Sequence, residues 1–240
     1  AVTPSRHVSA GFFRVHLWVT LGLSTFAATL VFLLPGEFPG GRAIGIGAAI
    51  AATLSYVGAV VWLYEKARAG VVFLWLVALV NLFFGWRLDV AMQTVPSAET
   101  LHQLVPLIDF VSSGMVIGLT FAAMLLGHWY LNTPTMKLDP LKRLLIGMAI
   151  VTLLRIAVCG FGVATLLQSP DEVAYFSKAV LSLRWLAGLG GLLGLTYMTW
   201  ETLKIPNTQS ATGILYVGVI FVFIGELASR LLSVQHPFPL

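Results

Sequence analysis

Charge and cysteine are the two scarcest features of this sequence. Charged side chains make up only 10% of its 240 residues, whereas soluble domains carry about 25%. So few charges cannot cover the surface of a water-soluble fold of this length, which excludes that class. Cys159 is the single cysteine, which excludes an intrachain disulfide, a CxxC redox pair and a thiolate metal cage. The first ten residues also lack the pattern of a signal peptide, so we expect the first apolar stretch to be retained.

Apolar residues are what the sequence has in abundance. They form 58% of the chain, the mean hydropathy is +0.91, and they fall into separate long blocks. A helix needs roughly 20 such residues to cross a bilayer core of about 30 Å. The pattern therefore predicts an all-α, polytopic bundle of about seven transmembrane helices, forming a single integral membrane domain over residues 1–240 in a lipid bilayer.

The helix limits follow from the apolar blocks and from the proline and glycine residues between them. Asp139-Pro140 suits the start of helix 5, while Ser177 and Thr208 are predicted caps of helices 6 and 7. The seven predicted helices cover about 12–34, 42–64, 70–90, 104–131, 141–168, 177–203 and 210–233.

Lysine and arginine predict the orientation of the chain. Placing the N-terminus inside and the C-terminus outside puts eight of these residues in the cytoplasmic segments and four in the outer ones, as the positive-inside rule requires. The inner set is Arg6, Arg14, Lys66, Arg68, Lys137, Lys142, Arg143 and Lys204, and the outer set is Arg42, Arg87, Lys178 and Arg230. The net charge of +4 is thus explained by topology, and we expect no nucleic-acid partner.

Charges inside the apolar blocks are the most informative residues. Arg155, Arg184 and Glu226 all fall in the outer half of the predicted membrane, where an unpaired charge costs at least about 2.5 kcal/mol. Further charges approach the same depth from helix ends: Arg87, Asp89, Asp109 and Arg230. Two interpretations stay open: a polar cavity for a quinone head group, a proton path or a small anion, and a set of interhelical ion pairs that fixes helix register.

Glycine is concentrated in helix 6, at Gly188, Gly190, Gly191 and Gly194. A dinucleotide-binding loop has similar spacing, but it needs a preceding strand and a helix that opens in water. Inside a membrane helix, the pair Gly190 and Gly194 instead predicts close helix packing. We interpret Gly41, Gly45, Gly47 and Ala51 of helix 2 in the same way.

Histidine offers a second cofactor hypothesis. A b-type haem in a helical bundle needs two imidazoles at matching depth on facing helices. His16, near the start of helix 1, and His128, near the end of helix 4, both lie toward the predicted cytoplasmic side, so a haem between them is allowed. The alternative is that each is an interfacial histidine. His102 and His236 fall in an outer loop and the C-terminal tail, where a haem would have poor helical support.

The last helix contains Gly225-Glu226-Leu-Ala-Ser-Arg230, which resembles the Gly-Glu-Leu-x-x-Arg stretch of membrane anchors of molybdopterin oxidoreductases. Those anchors are helical, handle quinol and lack haem in many members, and they have eight helices where seven are expected here. The resemblance covers six residues and implies a quinone-handling subunit. A bacterial inner (cytoplasmic) membrane is the location we expect.

The leading hypothesis is a subunit of a multi-subunit electron-transfer complex, respiratory or photosynthetic. It would contribute a quinone or quinol site around Asp109, Arg155, Arg184, Glu226 and Arg230, with or without a b-type haem, and would need other membrane subunits as partners. An enzyme acting alone is not expected, because the sequence has no metal-ligand motif and no nucleophile–base set. The alternatives are a transporter of small solutes or protons and a structural scaffold subunit.

Overall fold

The protein is an all-helical, polytopic membrane protein. The computed structural model describes residues 8–34, 36–38, 40–92, 100–132, 136–168, 175–205 and 207–233, and within these ranges it contains no strand. Seven of its helices are long and apolar enough to cross a bilayer. The prediction of seven transmembrane helices is confirmed.

The helix limits differ from the predicted ones by at most four residues. The sixth span is a continuous helix built from α6, a π-helical segment and α7, whereas a uniform helix was predicted there. The elements are α1 (Ala10–Leu33), α2 (Gly41–Leu63), α3 (Ala67–Met92), α4 (Thr100–Asn132), α5 (Asp139–Gln168), α6 (Tyr175–Leu183), the π-segment (Arg184–Gly191), α7 (Leu192–Thr202) and α8 (Thr208–Ser233).

Two of the predicted caps are wrong. The α8 helix begins at Thr208, and the backbone N–H of Ser210 donates to Oδ1 of Asn207 at 3.0 Å, so Asn207 caps this helix. The α6 helix begins at Tyr175, which places Ser177 inside the first turn. Both helices start two residues earlier than predicted. For α8 the reason is that Thr208 and Gln209 carry no hydrophobic signal, whereas α6 begins with the aromatic pair Tyr175 and Phe176, which the prediction left in the preceding loop.

The helices group into two compact units. The first lies within residues 4–94 and contains α1 to α3, and the second lies within residues 95–240 and contains α4 to α8. The sequence predicts one membrane domain over residues 1–240, and the grouping of the helices into two units does not test that prediction.

The three-helix unit is held together by contacts between small residues and aromatic rings. Helix α2 packs on both α1 and α3, and the ring of Phe13 stacks on Trp62 with 4.6 Å between centroids. A Cβ added to Gly58 would lie 2.9 Å from Cβ of Phe73, and one added to Gly45 would lie 2.9 Å from the ring of Phe32. The prediction that glycines of helix 2 permit close packing is confirmed at Gly45 and also at Gly47, which lies against the ring of Phe84; Gly58 was not among the residues it named.

The four-helix unit forms a closed ring of helices. Helix α4 packs on α5 and α8, and the sixth span packs on the same two helices. Successive spans run in opposite directions, so α4 and the sixth span begin at the membrane face where α5 and α8 end. We call this face the α4-start face. The ring encloses an interior to which every one of the four spans contributes side chains.

Candidate functional site

A buried carboxylate lies at the centre of the four-helix unit. Glu226 on α8 is 5% exposed and accepts three hydrogen bonds from three other helices. Nη2 of Arg155 donates at 2.6 Å, Nη1 of Arg184 at 2.9 Å and Oγ of Ser113 at 2.6 Å. A carboxylate offers about four acceptor positions, so one position of Glu226 stays open to a further donor.

Arg155 links Glu226 to a second carboxylate. Its Nη1 donates to the carboxylate of Asp109 and, at 3.2 Å, to the main-chain oxygen of the same residue. The Arg155 side chain is 1% exposed, whereas that of Asp109 is 14% exposed. Asp109 is therefore the member of the cluster that lies nearest to the surface of the protein.

Arg184 completes the cluster from the sixth span. It is fully buried, and its Nη2 lies 3.5 Å from the sulfur of Cys159 on α5. The formal charges of the four ionised side chains cancel, which is how charges are tolerated at membrane depth. The Nε atoms of Arg155 and Arg184 are buried without a partner among the described residues. The cluster therefore keeps donor capacity in addition to the open position of Glu226.

The π-segment brings Arg184 to this site. It spans Arg184–Gly191, and π-helical turns within α-helices occur frequently at functional sites. Gly188, one turn after Arg184, lies against Gly225, the neighbour of Glu226: a Cβ on Gly188 would be 2.5 Å from Cα of Gly225. This contact between two main chains sets the short distance between the helices that carry Arg184 and Glu226.

The close-packing prediction for the glycines of helix 6 is thus right in kind, but it named the wrong pair. Gly188 and Gly191 make the close contacts, on Gly225 and on the ring of Phe221, while a Cβ on Gly194 would have open space. Spacing along the chain cannot show which face of a helix meets a neighbour, and the wider turns of the π-segment change that face.

A groove of about 380 Å³ runs between α4 and α8 beside the cluster. Glu226, Ser113 and Arg230 supply its polar surface. Phe223 and Leu227 on its rim are 51% and 63% exposed, so the groove opens sideways toward lipid. Its remaining walls are apolar or small: Phe110, Gly114 and Ile117.

The other half of the same bundle is filled with apolar side chains. Besides Tyr130, six large side chains there are at most 1% exposed: Leu126, Leu141, Leu145, Met148, Leu192 and Leu215. We call this set the leucine layer. Buried threonines also lie in the bundle, but the hydroxyls of Thr120, Thr152, Thr196 and Thr212 each donate to the carbonyl oxygen four residues earlier. Their hydrogens are therefore used within their own helices.

Four of the charges expected to converge do so: Asp109, Arg155, Arg184 and Glu226. Arg230 lines the adjoining groove. Arg87 and Asp89 lie on α3 in the three-helix unit. Sequence reasoning missed Ser113 and Cys159, although each lies four residues after a cluster residue of its own helix, a spacing that places side chains on one face.

The two histidines of the haem hypothesis belong to different units. Nδ1 of His16 lies 2.9 Å from the carbonyl oxygen of Phe12; because a carbonyl only accepts, the neutral ring carries its hydrogen on Nδ1. The buried Nε2 has no partner among the described residues and keeps the lone pair that a metal requires. His128 is exposed, and its Nδ1 lies 3.4 Å from the hydroxyl of Tyr216. The haem stays a prediction.

Comparison with known proteins does not assign the chain to a family. No family model matches it, and neither a curated protein nor a solved structure matches it. Among the described residues, no group of three or more His, Cys, Asp or Glu side chains is arranged to hold a metal ion. The chemistry of the site must therefore be argued from its own geometry.

Proposed function

We propose that this protein is a membrane subunit of a multi-subunit electron-transfer complex and that the groove between α4 and α8 binds the head group of a quinone or quinol. One observation carries the proposal. A carboxylate with an open acceptor position, Glu226, lines a groove that faces lipid, and Arg230 lies one helical turn further along the same groove.

The polar groups of the groove match both redox forms of such a ligand. A hydroquinone hydroxyl would donate to Glu226, and a quinone carbonyl would accept from the guanidinium of Arg230, which has five N–H donors. Phe110 and Phe223 supply aromatic walls for the ring. The isoprenoid tail would leave through the open side into the bilayer, so the ligand need not cross water to enter.

The size of the groove also fits this ligand. Sites for small molecules have volumes of about 300–1,000 Å³, and about 380 Å³ accommodates a substituted ring but not a long tail. The six-residue resemblance to quinol-handling anchors agrees with the proposal, because its Glu226 and Arg230 are the two charged groups of the groove. Quinol oxidation releases two protons and two electrons, and the electrons would pass to haem or iron–sulfur carriers of partner subunits in a bacterial cytoplasmic membrane.

Transport is less well supported than quinone binding. A solute or proton crossing the four-helix unit would have to pass the leucine layer, whose side chains are at most 1% exposed. A scaffold role needs only the ion pairs and makes no use of the groove. The groove is therefore the feature to test.

The test fills the groove without disturbing the helix packing. A Cβ on Gly114 would meet nothing within 4 Å, so Gly114→Leu should fold normally and occupy the groove. Gly213→Leu is the matched control, because Gly213 is equally open and lies outside the groove. Each variant is reconstituted in nanodiscs with decylubiquinone or a menaquinone analogue, and bound quinone is measured after removal of free ligand.

Gly114→Leu should lower bound quinone at least tenfold, while Gly213→Leu should retain it. Glu226→Gln should weaken binding of the reduced form more than that of the oxidised form, since a neutral amide oxygen replaces the anionic acceptor of the hydroquinone hydroxyl. Equal quinone binding by wild type and Gly114→Leu would overturn the proposal. A phospholipid recovered in the groove in place of quinone would overturn it as well.

A further inference from the structure

We infer that two copies of this chain associate through α3, with the carboxamide of Asn81 in one copy hydrogen-bonded to that of Asn81 in the other, inside the bilayer. The inference is independent of the proposed quinone site, because Asn81 belongs to the three-helix unit and the groove to the four-helix unit. Three observations carry it: the depth of Asn81, the unused hydrogen-bonding capacity of its amide, and the small residues that flank it.

Asn81 lies within the hydrocarbon core of the membrane. It is fourteen residues after the start of α3 and eleven before its end, which correspond to about 21 Å and 17 Å at 1.5 Å per residue. The nearest charged residues of the helix, Arg68 and Arg87, are thirteen and six residues away, or about 20 Å and 9 Å. The hydrocarbon core is about 30 Å thick, so by either measure Asn81 lies inside it.

The side chain of Asn81 is exposed rather than packed on the neighbouring helix. Only two residues of α3 are buried, and Asn81 is not one of them. Helix α2, on which α3 packs, offers no polar side chain at this depth. Phe84 lies against Gly47, and because the two helices run in opposite directions, Asn81 lies beside residues 48–52. These five residues are alanine and isoleucine only.

The amide of Asn81 has more hydrogen-bonding capacity than its own helix uses. A carboxamide has two N–H donors and an oxygen that accepts two hydrogen bonds. Nδ2 of Asn81 donates to the main-chain oxygen of Val77 at 2.9 Å, and no other group among the described residues bonds to this side chain. Inside a bilayer no water satisfies the remaining positions, and polar side chains there bond across to a neighbouring helix. The amide therefore indicates a helix from another molecule.

A second copy of the chain is the partner that matches this amide. All copies cross the bilayer in the same direction, so identical residues lie at identical depth, and a two-fold axis perpendicular to the membrane brings α3 against α3. Two amides complement each other, because each donates an N–H to the oxygen of the other. A different subunit would need a polar group of its own at this depth, whereas two copies of Asn81 supply both halves of the pair.

Small residues on either side of Asn81 let two α3 helices approach each other. Ala78 and Gly85 lie three residues before it and four residues after it, a spacing that places all three on one face of the helix. Small residues at such positions permit close approach of membrane helices. Leu79 lies on the opposite face, because two residues along a helix correspond to a rotation of about 200°, and it is also exposed. Leu79 is therefore the matched control position.

The inference is tested by counting copies of the full chain in liposomes. Each copy carries one fluorophore on a terminal tag, and photobleaching steps counted over a range of protein-to-lipid ratios give the dissociation constant of the dimer. Asn81→Leu should raise this constant about tenfold, since one interhelical hydrogen bond is lost, and should fold, since this exposed side chain bonds only its own helix. Asn81→Gln keeps a carboxamide and should raise the constant less. Leu79→Ala should leave it unchanged.

Disulfide cross-linking locates the interface on α3. Single cysteines are placed in a Cys159→Ser background, and membranes are treated with copper phenanthroline as the oxidant. Ala78→Cys should give a cross-linked dimer, because it lies one turn from Asn81 on the same face. Leu79→Cys should remain uncross-linked at the same protein density.

Three results would each overturn the inference: a wild-type chain that is monomeric at every ratio, an unchanged dissociation constant for Asn81→Leu, and equal cross-linking of Ala78→Cys and Leu79→Cys. A monomeric wild type would assign this face of α3 to a different protein or to another part of the same chain. Quinone binding is measured separately and should be the same in Asn81→Leu as in wild type, so loss of the dimer leaves the proposed function standing.

Discussion

The helices of the two units are held together by different kinds of contact. In the three-helix unit, glycines let aromatic side chains approach a neighbouring helix: Phe73 of α3 packs against Gly58 of α2, and Trp62 of α2 packs against Gly70 of α3. In the four-helix unit, Arg155, Arg184 and Glu226 join three helices through charged hydrogen bonds. Both units lie in a bilayer, where burial of apolar surface gives no preference for one helix over another.

The difference between the units separates helix packing by shape alone from helix packing that includes buried ion pairs. Close contacts between glycines and rings hold helices together at no electrostatic cost, and the three-helix unit has several of them. The four-helix unit uses close contact as well, at Gly188 and Gly225, but places it beside the buried ion pairs. The proposed quinone site assigns these charges to a ligand, whereas a scaffold role assigns them to helix packing, and variants of the cluster separate the two roles.

The largest effect is expected from Glu226→Gln. This change leaves two buried guanidiniums with one carboxylate between them, and breaking a buried ion pair costs about 3–5 kcal/mol. The free energy of unfolding of the four-helix unit, measured by denaturant titration in bicelles, should fall by that amount. Glu201→Gln is the control, because this exposed partner of Lys204 should give no measurable change.

A double variant sharpens the first prediction. Arg184→Met with Glu226→Leu removes one charge of each sign and leaves Arg155 paired with Asp109. Replacing a buried ion pair by apolar side chains is often neutral for stability, so most of the stability lost in Glu226→Gln should return while quinone binding stays lost. A double variant less stable than Glu226→Gln would show that the charges are needed for packing.

An intermediate effect is expected from Gly225→Leu. The added side chain would meet the backbone of Gly188, and overpacking of this kind costs about 1–3 kcal/mol. It should also separate Arg184 from Glu226 and lower quinone binding. Gly194→Leu is the control on the sixth span, since a Cβ there has open space. Equal stability of the two variants would contradict the main-chain contact.

The smallest effect is expected from Gly58→Ala in the three-helix unit. Its Cβ would lie 2.9 Å from Cβ of Phe73, so a stability loss of about 1 kcal/mol is expected. Quinone binding should not change, because Gly58 lies in the unit without the groove. Gly22→Ala on α1, where a Cβ has open space, is the control. Reduced quinone binding by Gly58→Ala would contradict the assignment of quinone binding to the four-helix unit alone.

The sequence allowed the seven helices to be predicted because bilayer thickness imposes a length on every apolar block. It also indicated that Arg155, Arg184 and Glu226 all fall in the outer half of the membrane, since the rise per residue converts position along a helix into depth. Asp109 could be added for the same reason. Depth and helix limits are local quantities, and a single sequence contains them.

What could not be predicted depends on the rotation of each helix about its axis. Ser113 and Cys159 join the cluster because α4 and α5 turn those faces inward, and no local pattern distinguishes an inward serine from a lipid-facing one. The choice of Gly188 over Gly190 for the close contact has the same origin. The π-segment was missed because its residues, which apart from Arg184 are apolar or small, are all compatible with an ordinary α-helix.

The π-segment also makes the position of Arg184 sensitive to chain length. Each turn of a π-helix holds more residues than a turn of an α-helix, so the wide turns of Arg184–Gly191 fix how far the residues before them are rotated about the helix axis. Deletion of one residue in this stretch should restore an ordinary α-helix and turn Arg184 away from Glu226. The pairing of the second guanidinium is therefore a property of the helix geometry as much as of the arginine itself.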